Sequence, residues 1–291
     1  MDGITDLAYR QIVRKLNPDV LLFSEFTSIN GMEHSNVVRD RLNFAPQELP
    51  YIVQIFGNEP DLFGKTAREL NDSGISGIDI NMGCPAKKIV KHHSGGSLIK
   101  DQDLACQIVE ACVKNTTLPV SVKTRLGWTD EKHLIDFSSA LVNAGAQMLS
   151  IHGRTYKQAY KGTADWNPIY ELKQAVAVPV IGNGDVHGKE DGLTRLKNLD
   201  GYMVGRASIG NPWVFWSQER KDQLTLKDKI AIMIEHFQLM RSYKEERKAL
   251  IEFRKHISGY VTGFQDAKYH RGRLMKSETE QEFIQTALSL G

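Results

Sequence analysis

Seven short apolar runs alternate with stretches of helical periodicity, and this alternation restricts the fold more than any other property of the chain. The runs are 20–25, 51–56, 77–82, 119–125, 148–152, 178–183 and 201–205, with amphipathic segments at 61–73, 101–114, 131–144 and 189–197 between them. Strands that are apolar almost throughout are buried on both faces, which indicates a parallel sheet covered by helices on either side. Seven strand–helix repeats favour an α/β TIM (β/α)8 barrel over a doubly wound sheet. A closed barrel of this kind needs eight strands, yet no β-run precedes Met1-Asp2-Gly3-Ile4-Thr5-Asp6, which reads as a loop and the start of a helix. Seven strands leave two edges unpaired and a gap in the wall. Either the count is short by one, or the first strand lies upstream of an internal Met1. The second is the expectation.

After Trp213 the pattern changes. Segments 224–245, 247–262 and 277–290 carry Leu, Ile and Phe at three- and four-residue spacing and read as helices. The expected organisation is a barrel domain over 1–220 followed by a small all-helical domain over 221–291.

The 291 residues are 41% hydrophobic and 25% charged, which is ordinary for a soluble globular protein. The longest apolar stretches, such as 20–23 and 178–181, fall far short of the roughly 20 residues that a membrane-spanning helix needs. No signal peptide is visible, since an acid follows Met1 and no apolar segment lies behind it. Cys84, Cys106 and Cys112 do not pair evenly and have no metal-ligand spacing. A reducing cytoplasm is the simplest setting, with no membrane and no metal expected. Cys106 and Cys112 fall in a helical pattern and are expected in the core. A monomer is the working expectation.

The ends of the strands are where such folds place their chemistry. Glu25, Gln54, Asn81, Lys123, His152-Gly153-Arg154, Asn183-Gly184-Asp185 and Gly205-Arg206 each follow a strand directly and together make a polar, cationic pocket. The glycines after the last two strands let backbone amides approach a phosphate closely. The segment 77–88 runs from a buried strand into a tight Gly83-Cys84-Pro85 turn, so a thiol sits at a strand end. A basic loop follows with Lys87, Lys88, Lys91, His92 and His93, and 85–100 contains no acid. A second basic zone spans 244–276, with nine basic residues against four acidic ones. The two zones form either one phosphate-binding face or a pair of solvated loops.

With these motifs placed, the chain resembles the tRNA-dihydrouridine synthases of the bacterial type, flavin enzymes that reduce chosen uridines in tRNA. The resemblance rests on Met1-Asp2-Gly3-Ile4-Thr5-Asp6, Val53-Gln54-Ile55, Asp79-Ile80-Asn81-Met82-Gly83-Cys84-Pro85 and Ser121-Val122-Lys123-Thr124-Arg125. It continues through His152-Gly153-Arg154-Thr155, Ile181-Gly182-Asn183-Gly184-Asp185, Val204-Gly205-Arg206-Ala207, Gly210-Asn211-Pro212-Trp213 and Arg254-Lys255-His256. It implies an FMN in the barrel mouth. Asn183, Gly184, Asp185, Gly205 and Arg206 match the phosphate side, Gln54 and Lys123 the isoalloxazine ring, and His152 and Arg154 a motif lining flavin and substrate. Met1 and Asp2 stand where the family's flavin contact continues. That contact begins with a small residue and a Pro that this sequence lacks.

The implied reaction reduces the C5–C6 double bond of uracil, with NADPH as reductant, a hydride from flavin N5 to C6, and a proton to C5 from Cys84. A free thiol with a pKa of about 8.5 is protonated near neutrality, as a general acid must be. Lys87 and Lys88 close by would favour thiolate, so they are expected to point outward at tRNA phosphates with Lys91, Arg254 and Lys255. Asn81 is the candidate for hydrogen-bonding the uracil edge; an Asn that caps the Gly83 turn is the other reading. A flavin barrel acting on a small pyrimidine, similar to dihydroorotate dehydrogenase, is the alternative enzyme. A non-catalytic tRNA-binding protein is a third possibility.

Overall fold

The computed structural model describes residues 1–290. Its sheet is parallel throughout and contains β1 (Leu22–Phe23), β2 (Thr27–Ser28), β3 (Tyr51–Phe56), β4 (Gly77–Asn81), β5 (Val120–Arg125), β6 (Met148–His152), β7 (Val180–Asn183) and β8 (Gly201–Met203). β1 and β2 both pair with β3, so they are two pieces of one strand. Ser24 interrupts it: its hydroxyl, rather than a ladder carbonyl, accepts the Gln54 amide at 2.8 Å. The single run expected at 20–25 is therefore a broken strand that reaches Ser28. From β3 the order is sequential to β8.

The sheet is open. Among the described residues β8 pairs only with β7, and β1 and β2 pair only with β3. Every residue of β8 is half-buried, whereas all of β4 is buried. The barrel-like parallel sheet with two unpaired edges, expected from the strand count, is what the described residues form.

Helices cover the outer face because their apolar stripes have nowhere else to go. Pro60–Leu70, with Pro60 preset for a first helical turn, packs on Gln102–Val113. The contact buries Phe63, Ala67, Ile108, Val109 and Cys112 completely, and a side chain the size of Phe63 contributes about 2–3 kcal/mol by burial. Asp101 starts the second of these helices by accepting the Leu104 amide. Cys112 is thus core, as expected, while Cys106 is half-buried against the same core.

A second core lies among Leu226–Tyr243, Glu246–Tyr260, Ala267–Lys276 and Glu280–Leu288, built on Met233, Phe237, Phe253, Ile257 and Phe283. Helix Ala267–Lys276 is absent from the sequence reading. It is largely polar, and Leu274 is its one buried residue. The first helix, Leu7–Leu16, packs on Leu226–Tyr243 and ties this core to the barrel. Tyr9 stacks on His256 at 5.1 Å, and its hydroxyl donates to the Ser208 carbonyl. No helix among the described residues is long and apolar enough to cross a membrane.

Candidate active site

Parallel register brings Gln54, Asp79 and Ser121 side by side on β3, β4 and β5. They form a chain of hydrogen bonds: Ser121 Oγ donates to Asp79 Oδ1 at 2.6 Å, and Gln54 Nε2 to Asp79 Oδ2 at 2.7 Å. Burial raises the Asp79 pKa, and these two donors and Lys123 oppose it. Gln54 Oε1 accepts from Asn81 Nδ2 at 2.9 Å, which carries the network up to the strand end. Gln54 is therefore held by protein on both ends of its amide.

At that end Asn81 Oδ1 accepts the amides of Gly83 and Cys84 at 3.1 and 3.0 Å. The turn-capping reading of Asn81 is the one realised; a single Nδ2 hydrogen is left for another partner. From the far side Arg125 Nε donates to the Gly83 carbonyl at 2.7 Å, while its Nη1 reaches the Thr155 and Ala159 carbonyls at 3.2 and 2.9 Å. Cys84 is half-buried. Burial raises its pKa beyond what the Ala86 amide and Arg125 can pull back. The thiol is accordingly protonated at neutral pH. Lys87, Lys88 and Lys91 form an exposed helical turn and make no ion pair among the described residues, so they point outward as expected. The cations acting on the sulfur are Arg125 and Lys123.

Lys123 Nζ donates to Asn183 Oδ1 at 3.1 Å, and Asn183 Nδ2 to the Met203 carbonyl at 2.8 Å. Burial, with Arg125 beside it, lowers Lys123 to about 8 against the pull of Asp79. His152 follows Arg125 in register across to β6. Burial and then the charges of Lys123, Arg125 and Arg154 lower it to about 2, so its imidazole is neutral, with a buried Nδ1 that has no partner.

Arg154 is 2% exposed and donates to the Lys161 and Gly162 carbonyls and, at 2.6 Å, to Asp185 Oδ2, while its buried Nη1 has no partner. Asp185, matched by the resemblance to the phosphate side, turns its side chain to two arginines. Its carboxylate sits between Arg154 and Arg206, accepting from Arg206 Nη2 at 3.0 Å. Burial alone would raise its pKa; the Arg154 hydrogen bond, the Ala164 amide and the two arginines hold it below the usual value. Arg206, aimed by Asp185, remains exposed. Gly184 stands at φ +118°, where a Cβ would also strike Ala164. The amides of Gly184, Asp185 and Gly205 donate no hydrogen bond among the described residues.

The amino-terminal loop closes one side of the mouth. The Met1 amine donates to Thr5 Oγ1 at 2.6 Å, and the Ile4 amide to Glu25 Oε1 at 2.9 Å. Asp2, expected at the cofactor, is exposed and paired with Arg41 at 2.5 Å. Lys255 donates to the Gly3 carbonyl at 3.0 Å, bringing helix Glu246–Tyr260 to the loop; Arg254 is exposed beside it. The basic zone is thinner than the sequence count: Lys244 is spent on Asp6 and Glu252, and Arg271 on the Val261 carbonyl. Roles for Asp79, Ser121, Arg125 and the exposed Tyr160, flanked by Arg125 and Arg206 at 5.7 and 5.5 Å, were missing from the sequence reading. Charged residues inside apolar strands were the available signal, because a buried charge needs a built partner.

The fold and rim define a parallel half-barrel protein with a cationic strand-end pocket and a protonated thiol at its lip. The chain belongs to the dihydrouridine synthase family, whose model, "Dihydrouridine synthase (Dus)", matches residues 1–289. It is 36% identical over 292 residues to "Probable tRNA-dihydrouridine synthase 1" of Synechocystis sp., covering 97% of this chain and 82% of that protein. It is 35% identical over 276 residues to "tRNA-dihydrouridine synthase B" of Pasteurella multocida, covering 91% and 83%. Among solved structures, histamine dehydrogenase from Rhizobium sp. 4-9 is similar with a TM-score of 0.56 at 13% identity. That match covers 82% of this chain and 47%, about half, of the other, and at such identity it speaks for the fold alone.

Proposed function

We propose that the chain reduces uridines in tRNA to 5,6-dihydrouridine, using FMN in the barrel mouth and NADPH as reductant. The observation that carries this reading is the Cys84 thiol, fixed on a strand-end turn by Asn81 and Arg125 and kept protonated by burial. Family membership supplies the substrate class.

The rim fits a flavin mononucleotide. The free amides of Gly184, Asp185 and Gly205, with Arg206 held over them by Asp185, suit a phosphate. Lys123 and Gln54 would face the ring, and the unpartnered His152 Nδ1 offers a further polar contact. When bound and reduced, FMN supplies the hydride that goes to C6 of the uracil. Lys123, charged below about 8, stabilises negative charge in the mouth.

Cys84 supplies the proton. Its S–H bond breaks as a C–H bond forms at C5, and the thiolate left behind is reprotonated from water. Reaching a uridine inside folded tRNA requires turning the base out of its stack, which costs a few kcal/mol. Lys87, Lys88, Lys91, Arg254 and Lys255 would offset that cost through backbone phosphates. The exposed cations favour this polyanion over a free pyrimidine.

The test is dihydrouridine formation in unmodified tRNA with NADPH. The protein should be yellow and active, and Cys84→Ala should lose the product while still taking electrons from NADPH. Activity on free dihydroorotate or uracil with none on tRNA would overturn the reading.

A further inference from the structure

Beside the thiol lies an aromatic stack for which neither the reaction nor FMN binding has a use. The rings of Trp128 and Tyr156 are parallel within 8°, with centroids 3.8 Å apart. Lys100 Nζ lies 4.7 Å from the Trp128 ring, and Lys157 Nζ 5.8 Å. The backbone joins the same partners: the Tyr156 amide donates to the Gly127 carbonyl at 2.9 Å and the Lys157 amide to the Trp128 carbonyl at 3.0 Å.

This stack reaches Cys84 through one residue. The Gly96 amide donates to the Cys84 carbonyl at 3.1 Å. Gly96 is wedged so tightly that a Cβ there would lie 2.9 Å from that carbonyl oxygen and 3.0 Å from Tyr156 Cδ2. Cys84, the Gly96 backbone, Tyr156 and Trp128 therefore form a continuous packed row. Arg125 grips the Gly83 carbonyl from the other side of the same turn. Between the two the turn has little freedom.

We propose that Trp128 and Tyr156 are positioning residues that press the Gly95–Lys100 segment against the Cys84 turn and so hold the thiol at the angle and depth from which it delivers its proton. The inference rests on the functional reading above and deepens it. Two flat rings at van der Waals distance, capped by ammonium groups, make a stiff prop of fixed thickness. Proton delivery across a short gap depends on placement to a fraction of an ångström.

The test reads the thiol directly. Alkylation of Cys84 by iodoacetamide is followed against pH in the native protein, Trp128→Ala, Trp128→Phe and Tyr156→Ala, with buried Cys112 as the internal reporter of folding. Trp128→Ala should alkylate several-fold faster, with its profile moved to lower pH as the Gly95–Lys100 segment loosens from the Cys84 turn and admits water to the thiol. Trp128→Phe should return toward native behaviour. If Cys112 reports that Trp128→Ala has opened the fold, Tyr156→Ala carries the same comparison. In single turnovers on tRNA, Trp128→Ala should slow uridine reduction by about tenfold or more while leaving reduction of the bound flavin by NADPH unchanged. Unaltered Cys84 alkylation and pH profile in the folded variants overturns the inference. A shifted profile in protein that makes no dihydrouridine even when native leaves the prop standing and removes the functional reading instead.

Discussion

Arg125 Nε lies 2.7 Å from the carbonyl oxygen of Gly83, the residue immediately before the thiol. The same guanidinium holds the Thr155 and Ala159 carbonyls, so one buried side chain couples the strand-end turn of β4 to the loop after β6. Lysine can keep the charge but not this fork. Arg125→Lys is expected to lower stability by about 2 kcal/mol, the worth of a charged hydrogen bond, and to slow single-turnover uridine reduction by about tenfold to a hundredfold. Urea denaturation and rapid-quench kinetics check the two effects; a fast, stable variant would show that the turn does not depend on Arg125.

Cys84→Ala removes the proposed acid. Loss of a positioned acid slows the proton-dependent step by about 10²–10⁴-fold. In the native protein the thiol pKa is raised by burial, so the acid is intact at neutral pH and is lost as pH rises beyond the ordinary thiol range. The rate of uridine reduction should stay level through neutrality and fall on the alkaline side. A fall centred below pH 7 would exclude Cys84 as the donor.

Asp185 stands between Arg154, which is almost wholly buried, and Arg206. Replacing it by Asn leaves Arg154 without its counter-charge, and breaking a buried pair from one side costs about 3 kcal/mol. The Asp185 pKa is depressed on folding, so its contribution is complete above the ordinary Asp value and disappears as pH falls through the lower, folded value. The gap in urea stability between native protein and Asp185→Asn should therefore be wide at pH 7 and narrow in strong acid. FMN affinity should weaken too, because Arg206 loses its guide.

Lys123 loses its proton at about 8 rather than 10.5. A contact with an electron-rich flavin edge that depends on the ammonium weakens as pH rises through that value. FMN affinity measured by fluorescence quenching should decline from pH 7 to 9, and Lys123→Met should flatten that decline. An equal decline in both proteins would place the titrating group elsewhere.

The exposed turn Lys87–Lys91 carries three unpaired lysines. Each phosphate contact contributes roughly 0.7–0.9 to the slope of log affinity against log salt. The double substitution Lys87→Ala, Lys88→Ala should reduce that slope for tRNA by between one and two, with the difference largest at low salt. Fluorescence anisotropy across a salt series measures it. An unchanged slope would remove this turn from the interface.

The sequence by itself determined the strand–helix alternation, the parallel sheet, its unpaired edges and the position of Cys84 at a strand end. It could do so because apolar periodicity and Gly-Cys-Pro turn chemistry act over a few neighbouring residues. It also located the helical carboxyl-terminal segments, apart from Ala267–Lys276, whose apolar signal is a single buried leucine. Only the tertiary structure decided what the polar residues on the rim hold. Asn81 caps its own turn and Arg154 pairs with Asp185, although motifs show both as plausible ligand contacts, and Lys244, one of the basic residues counted at 244–276, staples Asp6. Partners such as Asp79 and Ser121 lie 42 residues apart in the chain and meet through register between strands. Which way a charged side chain is satisfied depends on such neighbours, brought close by folding, and on how far water is excluded around them.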